Sequence, residues 1–273
     1  MNRQTAWLAL IVGLLAVDAG GARRSPCDLA YPSDARIDWT CHTIGKDETL
    51  EGLFGEHWMD VARFNRIDRR HVIKGLRIKV PGRLETIERF TPMPVRYAPA
   101  DSDSQFVVVD LTEQFLGAYE KGRLVFSAPI ATGTPRHPTP RGMFRITAYD
   151  RDHVSSVYDI GDTDRPYPMH YGLRFHITAA GMSYWIHGRD MPGVPVSHGC
   201  IGLYDEAMQK RYYGRPDVPI LADARRLFEW VVGSRAQTGM RALPDGPRVM
   251  IVTSATDREA HLVTRPAQGL VHP

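Results

Sequence analysis

The sequence predicts a mainly β protein, a β-sandwich of mixed strands with short helices, carried beside a smaller α+β unit. Three observations predict it. From residue 105 to Cys200 the chain runs as short apolar or β-branched segments separated by Gly and Pro turn signals. Helical periodicity becomes strong only after Leu203. Residues 39–82 carry a separate strand, helix, helix, strand pattern.

In chain order, residues 1–22 read as a targeting segment. Arg3 supplies the positive start, Ala6 to Val17 is an apolar run too short to span a bilayer comfortably, and Ala19, Gly20, Gly21 and Ala22 are the small residues a cleavage site needs; the short run and the charged Asp18 disfavour the alternative, an uncleaved anchor. The mature protein is therefore expected to be exported, to periplasm or cell wall, with no stable membrane span after cleavage. The formal net charge of +3 gives neither a nucleic-acid stripe nor a polybasic membrane patch. In an oxidising compartment two of the three cysteines, Cys27 and Cys41, can pair. The closed loop of about 14 residues would be worth ~3 kcal/mol on the chain-entropy account. Cys200 is then left over, and an odd thiol in an exported protein is a candidate for reactivity.

In the 39–82 unit, Asp47 or Thr49 can cap a first helix that presents Leu50, Leu53 and Phe54 on one face. Asn65 closes the second helix, and Leu76, Ile78 and Val80 alternate as a strand requires. Residues 83–104, with Pro92, Pro94, Pro99 and an acidic-serine run, are expected to form a semi-extended linker.

The large domain is placed at 105–254. It opens on the apolar strand Gln105 to Leu111, continues with Gln114 to Tyr119 and Arg123 to Ile130, and then carries Thr132-Gly133 and Thr139-Pro140-Arg141-Gly142, where Gly and Pro set turns. Of the aromatic residues Tyr167, Tyr171, Phe175, Tyr184 and Trp185, core packing is the default expectation. Asp205 and Asp223 can each cap a helix, the second presenting Ala224, Leu227, Phe228 and Val231 at helical spacing. Arg248 to Val252 is the last strand, and 255–273 is expected to be a loose tail.

The chemistry concentrates in Ser183-Tyr184-Trp185-Ile186-His187-Gly188 and Ser197-His198-Gly199-Cys200-Ile201-Gly202-Leu203. Only the thiolate of a cysteine is a good nucleophile, so Cys200 needs a base, and His187 at the end of the preceding strand is the candidate. Gly188 and Gly199 let backbone approach a substrate carbonyl, and the amides near Gly199 and Cys200 can face a developing oxyanion. Ser197 and His198 are expected to support that loop. His170 and His176 are read as structural. A buried, inert cysteine is the competing reading. A zinc site from His187, His198 and Cys200 lacks further ligands of metal spacing, so no metal and no cofactor is expected.

These two stretches resemble the signature of the L,D-transpeptidase (YkuD-type) catalytic domain: His-Gly, a loop, then Ser/Thr-His-Gly-Cys followed by an apolar residue, an arginine and an apolar residue. Every position matches except the arginine, which is Gly202 here; a cation able to hold a substrate carboxylate is thereby removed. The tandem Thr-Gly and Thr-Pro-x-Gly elements match that family too. The resemblance implies Cys200 as nucleophile, His187 as base, a thioester acyl-enzyme, and cross-linking of peptidoglycan stem peptides between third-position residues, hence a part in cell wall biogenesis and cell shape. Residues 39–82 resemble a LysM module, with Lys46-Asp47-Glu48-Thr49-Leu50 one residue longer than that family's opening. That resemblance implies binding to glycan strands of the wall. The residues leave open hydrolysis by the same cysteine, as an L,D-carboxypeptidase or a cross-link-cleaving amidase. They leave open equally a wall-binding protein with no catalysis.

Overall fold

The computed structural model describes residues 24–256. The targeting segment expected over 1–22, and the tail beyond residue 256, lie outside the described residues.

The first unit follows the order β1 (Trp39–Thr43), α1 (Leu50–Phe54), α2 (Trp58–Phe64) and β2 (Arg77–Pro81). Its two strands pair antiparallel, with Cys41 opposite Lys79. Thr49 caps α1, its hydroxyl accepting the Gly52 amide at 3.1 Å. Asn65, at the end of α2, donates to the carbonyls of Val61 (2.9 Å) and Lys79 (2.8 Å) and accepts from the Lys79 amide (2.7 Å). One buried amide thus stitches α2 to β2, satisfying backbone groups that water cannot reach. Ile44, Leu50, Val61, Phe64 and Ile78 form the core of this unit. Cys27 and Cys41 are joined in a disulfide, and Cys200 is free.

The segment 83–104 is packed rather than semi-extended. Ile87 is buried in the core of the first unit, whereas Met93, Tyr97 and Ala100 are buried against the large domain. Apolar residues between the prolines give the segment two surfaces to cover, and hydrophobic burial outweighs the stiffness the prolines provide.

The large domain contains β3 (Phe106–Asp110), β4 (Phe115–Glu120), β5 (Arg123–Pro129), β6 (Gly142–Arg145), β7 (Ala148–Asp150), β8 (Val154–Asp159), β9 (Pro166–Pro168) and β10 (Gly172–Ile177). After these come β11 (Ser183–Arg189), β12 (Ile201–Tyr204), α3 (Glu206–Tyr213), α4 (Asp223–Val232), β13 (Arg241–Ala242) and β14 (Arg248–Val252). One five-stranded sheet has the order β5-β4-β3-β14-β6 and the other β12-β11-β10-β7-β13, while β8 and β9 form a separate hairpin. Both large sheets are mixed: β14 runs parallel to β3, and β12 parallel to β11.

Val107, Val109, Leu116 and Ala118 from the first sheet meet Leu173, Phe175, Ile186 and Leu203 from the second, with α4 supplying Ala224, Leu227, Phe228 and Val231. Phe106 and Val108, pointing the other way, pack with Tyr97, Met250 and Val252. β3 is therefore buried on both faces, which is why it reads as an unbroken apolar run. Asp205 caps α3 through the Met208 amide at 3.0 Å. Asp223 is the first residue of α4 instead of its cap, with Ala222 in the cap position; there its carboxylate still faces the positive end of the helix dipole. Ala255 is buried and its amide donates to Asp110 at 2.6 Å, so the domain packing continues past 254.

Candidate active site

β11 and β12 set the site. In their parallel register Ile186 lies beside Ile201 and His187 beside Gly202. Side chains alternate along each strand, so Trp185, His187 and Arg189 share one face, and Gly202 stands on the same side. Cys200 precedes β12 and joins them. All four side chains, Trp185, His187, Arg189 and Cys200, line one cavity of 570 Å³, together with Ser197 and His198.

His187 is buried, only 3% exposed. Its Nδ1 lies 2.8 Å from the Gly188 carbonyl oxygen. A carbonyl can only accept, so Nδ1 carries the hydrogen and Nε2 keeps its lone pair. Burial, helped by the charge of Arg189, pushes the imidazole down to about 3, so the ring is neutral at neutral pH. Burial also pushes the Cys200 thiol above its ordinary value, against the opposing pull of the Trp185 backbone amide and Arg189. Burial therefore favours the neutral thiol and the neutral imidazole over their charged forms.

The loop before the sulfur is tied at several points. Ser197 Oγ donates to the Cys200 carbonyl at 2.5 Å and accepts the Gly199 amide at 3.0 Å. Thr139 Oγ1 accepts from the Gly133 amide (3.0 Å) and donates to the Gly199 carbonyl (2.9 Å), so the Thr-Gly and Thr-Pro-x-Gly turns clamp the loop from one side. Gly199 has φ +112°, and a Cβ there would meet Tyr184 at 2.3 Å, so no other residue fits without strain. Exposed His198 stacks between Tyr158 (ring centroids 4.7 Å) and His137 (4.4 Å).

Gly188 takes a different place from the one expected. Strand alternation turns it away from the cavity, and a Cβ on it would come within 2.4 Å of the Asp205 carboxylate. It serves the site through its carbonyl, which orients His187. The Gly199 amide is likewise engaged with Ser197 instead of facing an oxyanion. Of the aromatics, Tyr171 and Phe175 pack into the core, whereas Tyr167, Tyr184 and Trp185 line the cavity. His170 and His176 do not line it.

Sequence reading passed over Thr139, as a brace, and His153, which stacks on Trp185 at 4.1 Å. It passed over Arg189 as well; the available signal was its position two residues beyond His187 on the same strand face.

The profile of the L,D-transpeptidase catalytic domain, YkuD, matches residues 104–251. The chain belongs to the L,D-transpeptidase catalytic-domain family. Among solved structures, L,D-transpeptidase 1 of Mycobacterium tuberculosis is 21% identical over 54% of this chain and 61% of that one, with a TM-score of 0.35. An L,D-transpeptidase from Mycobacterium smegmatis is 18% identical over 55% and 58%, TM-score 0.35. One from Xylanimonas cellulosilytica is 21% identical over 71% and 79%, TM-score 0.39. At these values the structural likenesses carry no weight beyond the family match. The chain spans about three fifths of the length of the two mycobacterial structures. No curated protein sequence matches significantly. Among the described residues no helix is long and apolar enough to cross a membrane.

Proposed function

We propose that this protein is an exported cysteine L,D-transpeptidase that cross-links peptidoglycan stem peptides. The observation that carries the reading is the unpaired Cys200 sharing one cavity wall with His187, whose Nε2 is left free by the bond from Nδ1 to Gly188.

As the sulfur of Cys200 attacks the carbonyl carbon after the third residue of a donor tetrapeptide, Nε2 of His187 takes the thiol proton. The oxyanion is held by the Cys200 amide, since that of Gly199 is occupied. The C–N bond then breaks, the imidazolium returns its proton to the departing D-alanine amine, and a thioester remains on Cys200. An amine from the third residue of a neighbouring stem attacks the thioester and gives its proton to His187. The new amide forms and the sulfur leaves, reprotonated by the imidazolium. No external oxidant, reductant or metal enters this balance.

The 39–82 unit is proposed as a LysM-like module holding glycan strands beside the cleft. Its support is the strand, helix, helix, strand order with Thr49 and Asn65 in their capping places. The Cys27–Cys41 disulfide favours an oxidising compartment, in line with the targeting segment read at 1–22.

The test is product analysis from a tetrapeptide donor with and without an added stem-peptide amine. Cross-linked dimer and released D-alanine are expected, both absent from Cys200→Ala. Tripeptide alone, undiverted by the amine, would make the enzyme a carboxypeptidase instead.

A further inference from the structure

We propose that Arg189 is the carboxylate clamp of this cleft: its side chain crosses from β11 over Gly202 on β12 and offers its guanidinium to a carboxylate of the peptide donor acylating Cys200. The proposal rests on the reading of Cys200 as the acylated residue.

The crossing is visible in the space above Gly202. A Cβ built on that glycine would lie 1.8 Å from Arg189 Cδ and 2.0 Å from its Cγ. The stem of Arg189 therefore fills the place where any other residue's side chain would stand. Gly202 does not adopt a left-handed φ, so space and not backbone freedom is what glycine provides here. A cation thus reaches the space beside position 202 from the adjacent strand, along a lane that only glycine leaves open.

The guanidinium arrives without a counter-ion. Its Nε donates to the Asp190 carbonyl at 3.1 Å, which fixes one end of the fork. Asp190, the nearest acid in sequence, is taken by Arg70 at 2.7 Å. Among the described residues no carboxylate lies within 4.0 Å of the Arg189 guanidinium, whereas Arg70 and Arg248 each have one and Arg66 and Arg69 each have two. Arg189 is half-buried and borders both the Cys200 cavity and a second hollow of 690 Å³ beside it. A partly desolvated cation is stabilised by an anion brought to it, and guanidinium geometry matches carboxylate in a two-bond fork. Placed two residues from His187 on one strand face, it stands within a residue or two of the scissile carbonyl. A tetrapeptide donor offers its terminal carboxylate at that distance, and a donor whose third residue is a diamino dicarboxylic acid offers a second on the side chain.

The experiment measures kcat and KM for transfer from three donors: the free acid, the C-terminal amide, and a donor amidated on the third side chain. Proteins compared are the unmodified chain, Arg189→Gln, Arg189→Lys, and the exchange variant carrying Arg189→Gly with Gly202→Arg. Arg189→Gln is expected to raise KM roughly 10- to 100-fold for donors that keep the clamped carboxylate, the range for losing a charge-assisted hydrogen bond. It should have little effect on the one donor that lacks it, which identifies the carboxylate. Arg189→Lys should recover part of the loss, and the exchange variant should restore preference for the acid. Labelling of Cys200 by uncharged iodoacetamide should persist in every variant, reporting an intact site. An equal loss on all three donors would mean that Arg189 acts on the sulfur's ionisation, and would overturn the proposal, as would no change on any donor. Absence of transfer by the unmodified protein would overturn both this proposal and the transpeptidase reading; donor-independent effects amid normal transfer would overturn the clamp alone.

Discussion

At the residue scale, burial favours the neutral forms of His187 and Cys200, which line one cavity. His187 keeps its base form down to about pH 3 because it is buried, and Cys200 keeps its proton because burial disfavours the thiolate. Alkylation by iodoacetamide follows the thiolate fraction, so its rate should climb with pH into the alkaline range past an ordinary cysteine and show no plateau near neutrality. A flat rate from pH 5 to 8 would reveal a preformed thiolate–imidazolium pair. Cys200 and His187 could be singled out as candidates in the sequence through the motif that resembles the L,D-transpeptidase signature, since a cysteine and a histidine alone meet by chance among eleven histidines. Arg189 was not, because its role depends on strand register: only the pairing of His187 with Gly202 shows which side chain lies across which glycine. Gly188 was misplaced for the same reason. Its sequence neighbour faces the cavity, but alternation turns Gly188 toward Asp205.

At the scale of elements, the catalytic loop is held by turns that are distant in sequence. Thr139 links the Gly133 amide to the Gly199 carbonyl through one hydroxyl. Thr139→Val keeps the shape and strands both partners, at a cost of about 1–3 kcal/mol. A lowered denaturation midpoint together with slower acylation of Cys200 is expected; unchanged acylation would show that the brace does not position the sulfur. The Thr-Gly and Thr-Pro-x-Gly elements were recognisable as turns from composition. Their partner was hidden, since a hydroxyl bonds whatever tertiary packing brings to it. The capping of α3 by Asp205 was readable, being local. Asp223 lies one position inside its helix, within the usual uncertainty of helix ends.

At the scale of the molecule, the first unit is fastened to the large domain by buried charge. Arg66 meets Asp34 at 3.1 Å and Glu113 at 3.4 Å, and Lys79 pairs with Asp34, all almost fully buried. Tyr204, which ends β12, shares its one hydroxyl hydrogen between the carbonyls of Ala62 and Ile67, and the Met191 amide in the loop before Cys200 donates to Asp68 at 2.7 Å. The unit therefore braces the loop between His187 and Cys200. Arg66→Met leaves Asp34 and Glu113 with less compensation and should cost about 3–5 kcal/mol. The unmodified protein should unfold in urea as a single transition; two transitions would mean that the units fold independently. The strand, helix, helix, strand order over 39–82 was readable from its patterns. The docking was not, because prolines and acidic serines in 83–104 read as solvated while Ile87, Met93 and Tyr97 cover two cores.

The central claim, that Cys200 is a free sulfur able to take an acyl group with His187 as its base, is tested most directly by intact mass after exposure to a carbapenem. The account predicts one adduct, localised to Cys200, absent from Cys200→Ala and formed far more slowly by His187→Gln. An unmodified mass for the native chain, or an adduct that persists in Cys200→Ala, would contradict it.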